Sequence, residues 1–138
     1  MLTQYRACLV GCGRMGATID DEVNDNLPFS HAAGYTAVEN IDLVAVSDPI
    51  VEKVETIQKR YHVLNGYTDY REMVEKEQPD IVHAVTMPTV PRHIWVEPAA
   101  RAGVGALVIE KPIALRPREA ERLDAAQEGT NLKIIVNH

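Results

Sequence analysis

The sequence predicts an α/β protein with a doubly wound parallel sheet of about six strands in the order 3-2-1-4-5-6, a Rossmann fold. A strand-like apolar run, Ala7 to Val10, passes directly into the pattern Gly11-x-Gly13-x-x-Gly16. Strand-like and helix-like segments then alternate along the whole chain at the spacing of β-α-β units. Right-handed crossovers assemble such units into a sheet that binds ligands at the carboxyl ends of its strands.

The composition is that of one ordinary globular domain. The chain has 138 residues, of which 46% are hydrophobic and 25% charged. A net charge of −6 without any basic stripe argues against a nucleic-acid partner. The apolar runs are too short to span a membrane, and we expect no signal peptide. Cys8 and Cys12 match no zinc spacing, so we expect no metal site and a reduced, cytoplasmic protein.

The glycine loop after the first strand predicts a dinucleotide site. Gly11 lets the chain turn sharply, Gly13 lacks a Cβ and so admits a pyrophosphate, and Gly16 lets the following helix pack closely. Main-chain N–H groups at the start of that helix favour an anion. The candidate cofactor-binding residues of this loop are Gly11, Cys12, Gly13, Arg14, Met15 and Gly16.

The elements that follow in the first half have their own signals. We expect a helix from Arg14 to Asp20 or Glu22, and we interpret the acidic stretch 20–26 as a solvated loop, because clustered acids alone do not fix metal-ligand geometry. Ser30 is a suitable N-cap for a second helix. The predicted segments are helix 31–38, a strand from 41 that ends at Asp48, helix 49–61, and strand 62–65 ended by Gly66.

Asp48 stands where a Rossmann domain places an acid for the ribose hydroxyls. It follows Gly16 by 32 positions, against the usual interval of about 20, so we infer an insertion in the first crossover. A carboxylate here repels a 2′-phosphate, which favours NAD over NADP. Asp48 is equally suited to cap a helix with Pro49 at its first position, and the two roles can coexist.

The second half continues the alternation. Asp69-x-x-Glu72 is a capping-box pattern that opens a helix to about Gln78, where Pro79 ends it. The remaining predicted segments are strand 80–86, a proline-stiffened loop 87–91, helix 93–102 ended by Gly103, strand 105–109, helix 116–127 and strand 132–136.

In their order along the chain, these motifs resemble the Gfo/Idh/MocA family, which includes glucose–fructose oxidoreductase and inositol dehydrogenase. The resemblance covers the whole chain, and the Glu-Lys-Pro after the fifth strand is its most specific element. The motifs that carry it are the glycine loop, Val46-Ser47-Asp48-Pro49, Tyr67-Thr68-Asp69-Tyr70, Thr86-Met87-Pro88 with His93, and Glu110-Lys111-Pro112.

The resemblance implies an NAD- or NADP-dependent oxidoreductase acting on a sugar, a cyclitol or a related hydroxylated compound. It places Lys111 near the nicotinamide and the substrate hydroxyl, where a partly desolvated ammonium group can stabilise an alkoxide. His93 is a second catalytic candidate, although it is equally consistent with a solvent-facing residue at a helix start. The Lys111-Pro112 bond is a candidate cis peptide. The implied cofactor-binding residues are Thr86, Met87, Pro88, Glu110 and Lys111.

One departure from the family concerns length. Family chains carry a second α/β domain that supplies most of the substrate pocket, and this sequence ends just after its sixth predicted strand. We therefore expect a truncated chain, residues 1–138 being the NAD(P)-binding domain, with little or no activity alone; a homo-oligomer is compatible with the family. The alternative is a non-catalytic nucleotide-binding or sensing module. A methyltransferase fits less well, because Leu9-Val10 precede Gly11 where an acid is usual.

Overall fold

The centre of the molecule is a six-stranded parallel sheet in the order β3-β2-β1-β4-β5-β6, which confirms the predicted Rossmann fold. The computed structural model describes residues 2–23 and 27–138. The strands are β1 (Tyr5–Val10), β2 (Ile41–Ser47), β3 (Asn65–Tyr67), β4 (Ile81–Ala84), β5 (Ala106–Glu110) and β6 (Lys133–Asn137). The α-helices are α1 (His31–Thr36), α2 (Val51–Tyr61), α3 (Tyr70–Glu77), α4 (Val96–Arg101) and α5 (Pro117–Gln127).

Helices cover both faces of the sheet, and β1 lies at its centre between β2 and β4. One core cluster joins β1, β4 and β5 to α3, α4 and α5, and a second joins β1 and β2 to α1 and α2. Ala7, Cys8 and Leu9 are fully buried. From Ala7 to Val10 this strand is continuously apolar, because both of its faces are covered there.

The predicted position of the third strand was wrong, because the strand begins three residues later than expected. The structure places β3 at Asn65–Tyr67 instead of 62–65. His62 takes a left-handed conformation (φ 56°) that ends α2, and Val63 then packs into the core. Gly66 lies inside the strand, where a Cβ would overlap the side chains of Val54 and Gln58.

The segment after the glycine loop is helical but is not one regular α-helix. Arg14–Thr18 forms a π-helical turn, and Ile19–Glu22 forms a 3₁₀ turn. The Tyr61 hydroxyl donates to the carbonyl oxygen of Ala17 at 2.9 Å. A side chain inserted in this way interrupts the regular helical hydrogen bonds. Of the predicted acidic loop, residues 24–26 lie outside the described residues.

The capping predictions had mixed outcomes. The hydroxyl of Ser30 accepts from the N–H of Ala33 at 3.1 Å, which confirms the cap of α1. Asp69 caps α3 by accepting a hydrogen bond from the N–H of Arg71. Glu72 forms an ion pair with Lys76 in place of the hydrogen bond expected of it in a capping box.

The other boundary changes are small. The strand predicted at 80–86 is shorter, ending at Ala84, and the helix predicted at 93–102 divides into a 3₁₀ turn at Arg92–Trp95 and then α4. In the parts of the chain that the structure describes, no helix has the length and apolar character needed to cross a membrane.

The burial of β1 predicts an asymmetric response to two leucine substitutions. Leu9→Ala removes a fully buried side chain from the central strand, and we expect a loss of about 2–5 kcal/mol in the free energy of unfolding. Leu64→Ala changes a side chain that is 87% exposed, and we expect a change within about 0.5 kcal/mol. Urea denaturation of both variants measures the difference, and equal losses would contradict this description of the core.

Candidate functional site

The three glycines of the loop after β1 have different surroundings. Gly11 has a φ of 97°, and a Cβ there would overlap the carbonyl group of Val85 at the end of β4. A Cβ at Gly16 would overlap the carbonyl oxygen of Gly11. Around Gly13, by contrast, none of the described residues lies within 4 Å of where a Cβ would be. Packing within the protein therefore accounts for the first and third glycines, whereas the second faces open space.

Asp48 joins this loop to the end of β2. Its carboxylate oxygens accept hydrogen bonds from the N–H groups of Cys12 and Ile50, each at 3.0 Å, and the residue is only 8% exposed. Each oxygen keeps a further lone pair that a ribose hydroxyl can use. The alternative interpretation as a helix cap was wrong in detail, because α2 begins at Val51 with Ile50 as its N-cap.

The two cysteines are buried, as the sequence suggested. The side chain of Cys12 packs in the core beneath the loop, so this residue offers the site its main chain. Burial, with a smaller effect from Asp48, raises the pKa of the Cys12 thiol to about 12, and burial likewise raises that of Cys8 to about 12. Both thiols are therefore protonated near neutral pH and are poor nucleophiles.

A buried arginine shapes the loop after β4, and sequence reasoning missed it. Arg92 is 3% exposed, and its Nη1 donates to the Thr86 hydroxyl at 2.7 Å and to the carbonyls of Thr86 and Met87 at 3.1 and 3.2 Å. Burial lowers the pKa of Arg92, and the nearby Glu110 carboxylate opposes that shift. The only signal in the sequence was a charged residue beside Pro91, which is indistinguishable from a surface arginine.

His93 lies in the 3₁₀ turn that precedes α4. It lines a groove between α3 and α4, together with Arg71, Val74 and Glu97. The lining of this groove includes neither the glycine loop nor Asp48. The catalytic role of His93 remains a prediction.

The Glu-Lys-Pro motif divides between the interior and the edge of the sheet. Glu110 points inward: its Oε1 accepts from the Asn137 side-chain amide at 2.8 Å and lies 2.7 Å from His31 Nε2. Lys111 is exposed at the carboxyl edge, and the Lys111-Pro112 bond is cis, as predicted. These contacts of Glu110 are inside the protein, and its cofactor-binding role remains a prediction.

His83 lies beside Glu110 and was also missed by sequence reasoning. It occupies β4, is 4% exposed, and has its Nε2 3.6 Å from Glu110 Oε1. Burial, with a smaller effect from His31, lowers the pKa of His83 to about 3. Its imidazole is therefore neutral near pH 7.

Comparison with known proteins identifies the family that the chain matches. Residues 5–138 match the model of the Gfo/Idh/MocA proteins, described as an oxidoreductase family with an NAD-binding Rossmann fold. This match confirms the resemblance seen in the sequence. Comparison with the curated proteins gives no match.

Solved structures have the same fold. The scyllo-inositol dehydrogenase of Lactobacillus casei, solved with NAD(H) and scyllo-inositol, is 22% identical with a TM-score of 0.80, covering 98% of this chain and 36% of its own. An oxidoreductase of Desulfitobacterium hafniense, provisionally named as NADPH-dependent, is 25% identical with a TM-score of 0.78, covering 100% of this chain and 35% of its own. The chain thus spans about a third of the length of these relatives.

The surroundings of the glycines predict that substitution by alanine lowers the stability of the protein at Gly16 but not at Gly13. Gly16→Ala forces a Cβ against the Gly11 carbonyl, so we expect a loss of about 1–3 kcal/mol in the free energy of unfolding. Gly13→Ala meets no described neighbour, so we expect a change within about 0.5 kcal/mol. Urea denaturation compares the two variants. A Gly16→Ala protein as stable as Gly13→Ala would show that the loop is packed differently.

Proposed function

Because the chain belongs to the Gfo/Idh/MocA oxidoreductase family, we propose that its glycine loop binds NAD(H) for hydride transfer to or from a sugar, a cyclitol or a related hydroxylated substrate. The observation that carries this proposal is the open position at Gly13 between two glycines that packing requires. A loop held in this shape by its own backbone contacts leaves space for a pyrophosphate at one defined point.

The phosphate-binding role falls to the main chain of residues 11–16. Gly13 precedes a helical turn, and its carbonyl accepts from the N–H of Ala17 at 2.9 Å, which fixes the direction of the turn. N–H groups at such a turn carry partial positive charge and favour an anion. The side chains of Arg14 and Met15 are exposed beside the loop, and Arg14 pairs with Glu22 at 2.7 Å.

Asp48 supports a preference for NAD over NADP. Its carboxylate is held by two N–H groups, one of them from the glycine loop itself, so its position relative to that loop is fixed. A 2′-phosphate at this point would lie beside a negative charge, whereas two ribose hydroxyls can donate to it. The relative provisionally named for NADPH makes the preference a question for direct titration.

Lys111 and the Thr86–Pro88 segment supply the other end of the site. When bound, a nicotinamide ring accepts or gives the hydride. The hydroxyl proton of an alcohol substrate must then pass to a base, and the exposed ammonium group of Lys111 is suited to stabilise the alkoxide or relay that proton. Arg92 holds Thr86 and Met87 in place in the loop after β4.

The loss of the open position at Gly13 tests the proposal. We expect Gly13→Val to abolish NAD binding while the protein stays folded, because the branched side chain fills the space assigned to the pyrophosphate. Gly34→Val is the matched control, since Gly34 also has no described neighbour near its Cβ position but lies in α1. Isothermal titration calorimetry measures NAD affinity in both variants. Unchanged affinity in Gly13→Val would remove this loop from the site.

The charge of Asp48 is tested separately. We expect Asp48→Ala to weaken NAD binding about tenfold, or about 1.4 kcal/mol, and to improve NADP binding relative to NAD. Titrations with NAD, NADH, NADP and NADPH give the ratio. Asp48→Asn keeps an acceptor oxygen without the charge, and Asp69→Ala removes a comparable carboxylate from the start of α3. A ratio that is the same in all four proteins, including the unmodified one, would limit Asp48 to a structural role.

A further inference from the structure

Three side chains of types that commonly bind metals lie close together in the structure, although they are far apart in the sequence. His31 lies at the start of α1, His83 in β4 and Glu110 at the end of β5. One ligand atom from each lies within 4.8 Å of the other two. His83 is buried, and the other two are largely buried, with side-chain exposures of 16% for His31 and 12% for Glu110.

Hydrogen bonding within the protein does not account for this cluster. His31 Nε2 lies 2.7 Å from Glu110 Oε1 and His83 Nε2 lies 3.6 Å from the same oxygen, and each contact is an ion pair only when the imidazole is protonated. Within residues 2–23 and 27–138, both Nε2 atoms are buried and have no hydrogen-bond partner. Leaving such groups unsatisfied costs free energy, whereas a cation between them would use both nitrogen lone pairs and the carboxylate.

Outer contacts orient two of the three side chains. The Nδ1 atom of His83 lies 3.2 Å from the hydroxyl of Tyr35, so its Nε2 faces the cluster. The Asn137 amide donates to Glu110 Oε1 at 2.8 Å. Partners of this kind are what metal-binding imidazoles and carboxylates usually have, and they fix the tautomer and the direction of the ligand atoms.

We propose that His31, His83 and Glu110 form a zinc site. Two imidazoles and one carboxylate are a common protein ligand set for Zn²⁺, with one coordination position left for water. Calcium and magnesium prefer ligands that are all oxygen, which this cluster does not offer. The ligands are separate from the glycine loop and Asp48. A bound ion would tie α1 to β4 and β5 and would fix the strand end from which Lys111 projects.

The test uses zinc alone and the whole chain. Metal-free protein is titrated with Zn²⁺ in competition with a chromophoric chelator, and we expect one zinc per chain. X-ray absorption spectroscopy of the zinc-loaded protein should show two imidazole nitrogens and a carboxylate oxygen. We expect His83→Gln and Glu110→Gln to weaken binding by about 100-fold or more, and Tyr35→Phe, which removes an outer contact, by about tenfold.

A matched control and the cofactor titration make the outcome decisive. His62→Asn removes an exposed histidine at the end of α2, where asparagine tolerates the left-handed conformation, and should bind zinc normally. If His83→Gln does not fold, the zinc affinity of Tyr35→Phe and the X-ray absorption spectrum of the unmodified protein still test the proposal. Failure of the unmodified protein to bind zinc, equal affinity in folded His83→Gln, or a spectrum without imidazole ligands would each overturn the proposal. NAD titration of metal-free protein tests the glycine loop independently.

Discussion

The close approach of the glycine loop to the end of β4 is the constraint on which the rest of the site depends. Gly11 lies so near the carbonyl of Val85 that a Cβ cannot fit, and Gly16 lies equally near the carbonyl of Gly11. Because β1 is the central strand, this contact sets where the loop stands relative to the strands on both sides. The shape of the open position at Gly13 is therefore a property of the sheet, and a ligand does not have to create it.

Asp48 extends the same constraint across the sheet edge. Its bond to the N–H of Cys12 links the end of β2 to the glycine loop, and its second bond, to Ile50, sets the turn that leads into α2. A carboxylate fixed in this way serves the fold and remains an acceptor for a ligand. Asp48 is not the N-cap of α2, but its bond to Ile50 gives it a structural role in the turn before that helix, and this role is compatible with cofactor binding.

Local patterns predicted most of the fold, and long-range contacts account for what they missed. The strand order and most helices follow from periodic apolar residues and from caps such as Ser30. Strand β3 was misplaced because three residues containing Gly66 carry almost no strand signal. In the site, the glycine loop, Asp48 and Lys111 were visible as motifs, and their roles remain predictions. Arg92 and His83 were not visible, because their burial depends on partners distant in the chain or on the folded loop around them.

Charged side chains of both signs follow the strands at the carboxyl edge of the sheet. The carboxylate of Asp48 lies after β2, where we propose that ribose hydroxyls bind, whereas Arg92 and Lys111 follow β4 and β5. Positive charge there favours an alkoxide that develops as a substrate loses its proton. Arg92 is buried and holds the backbone of the Thr86–Met87 segment, while Lys111 is exposed, as its proposed role toward a substrate requires. Arg92 therefore shapes the loop after β4 from inside the protein, whereas the proton transfer that we propose for Lys111 requires the exposure this residue has at the end of β5.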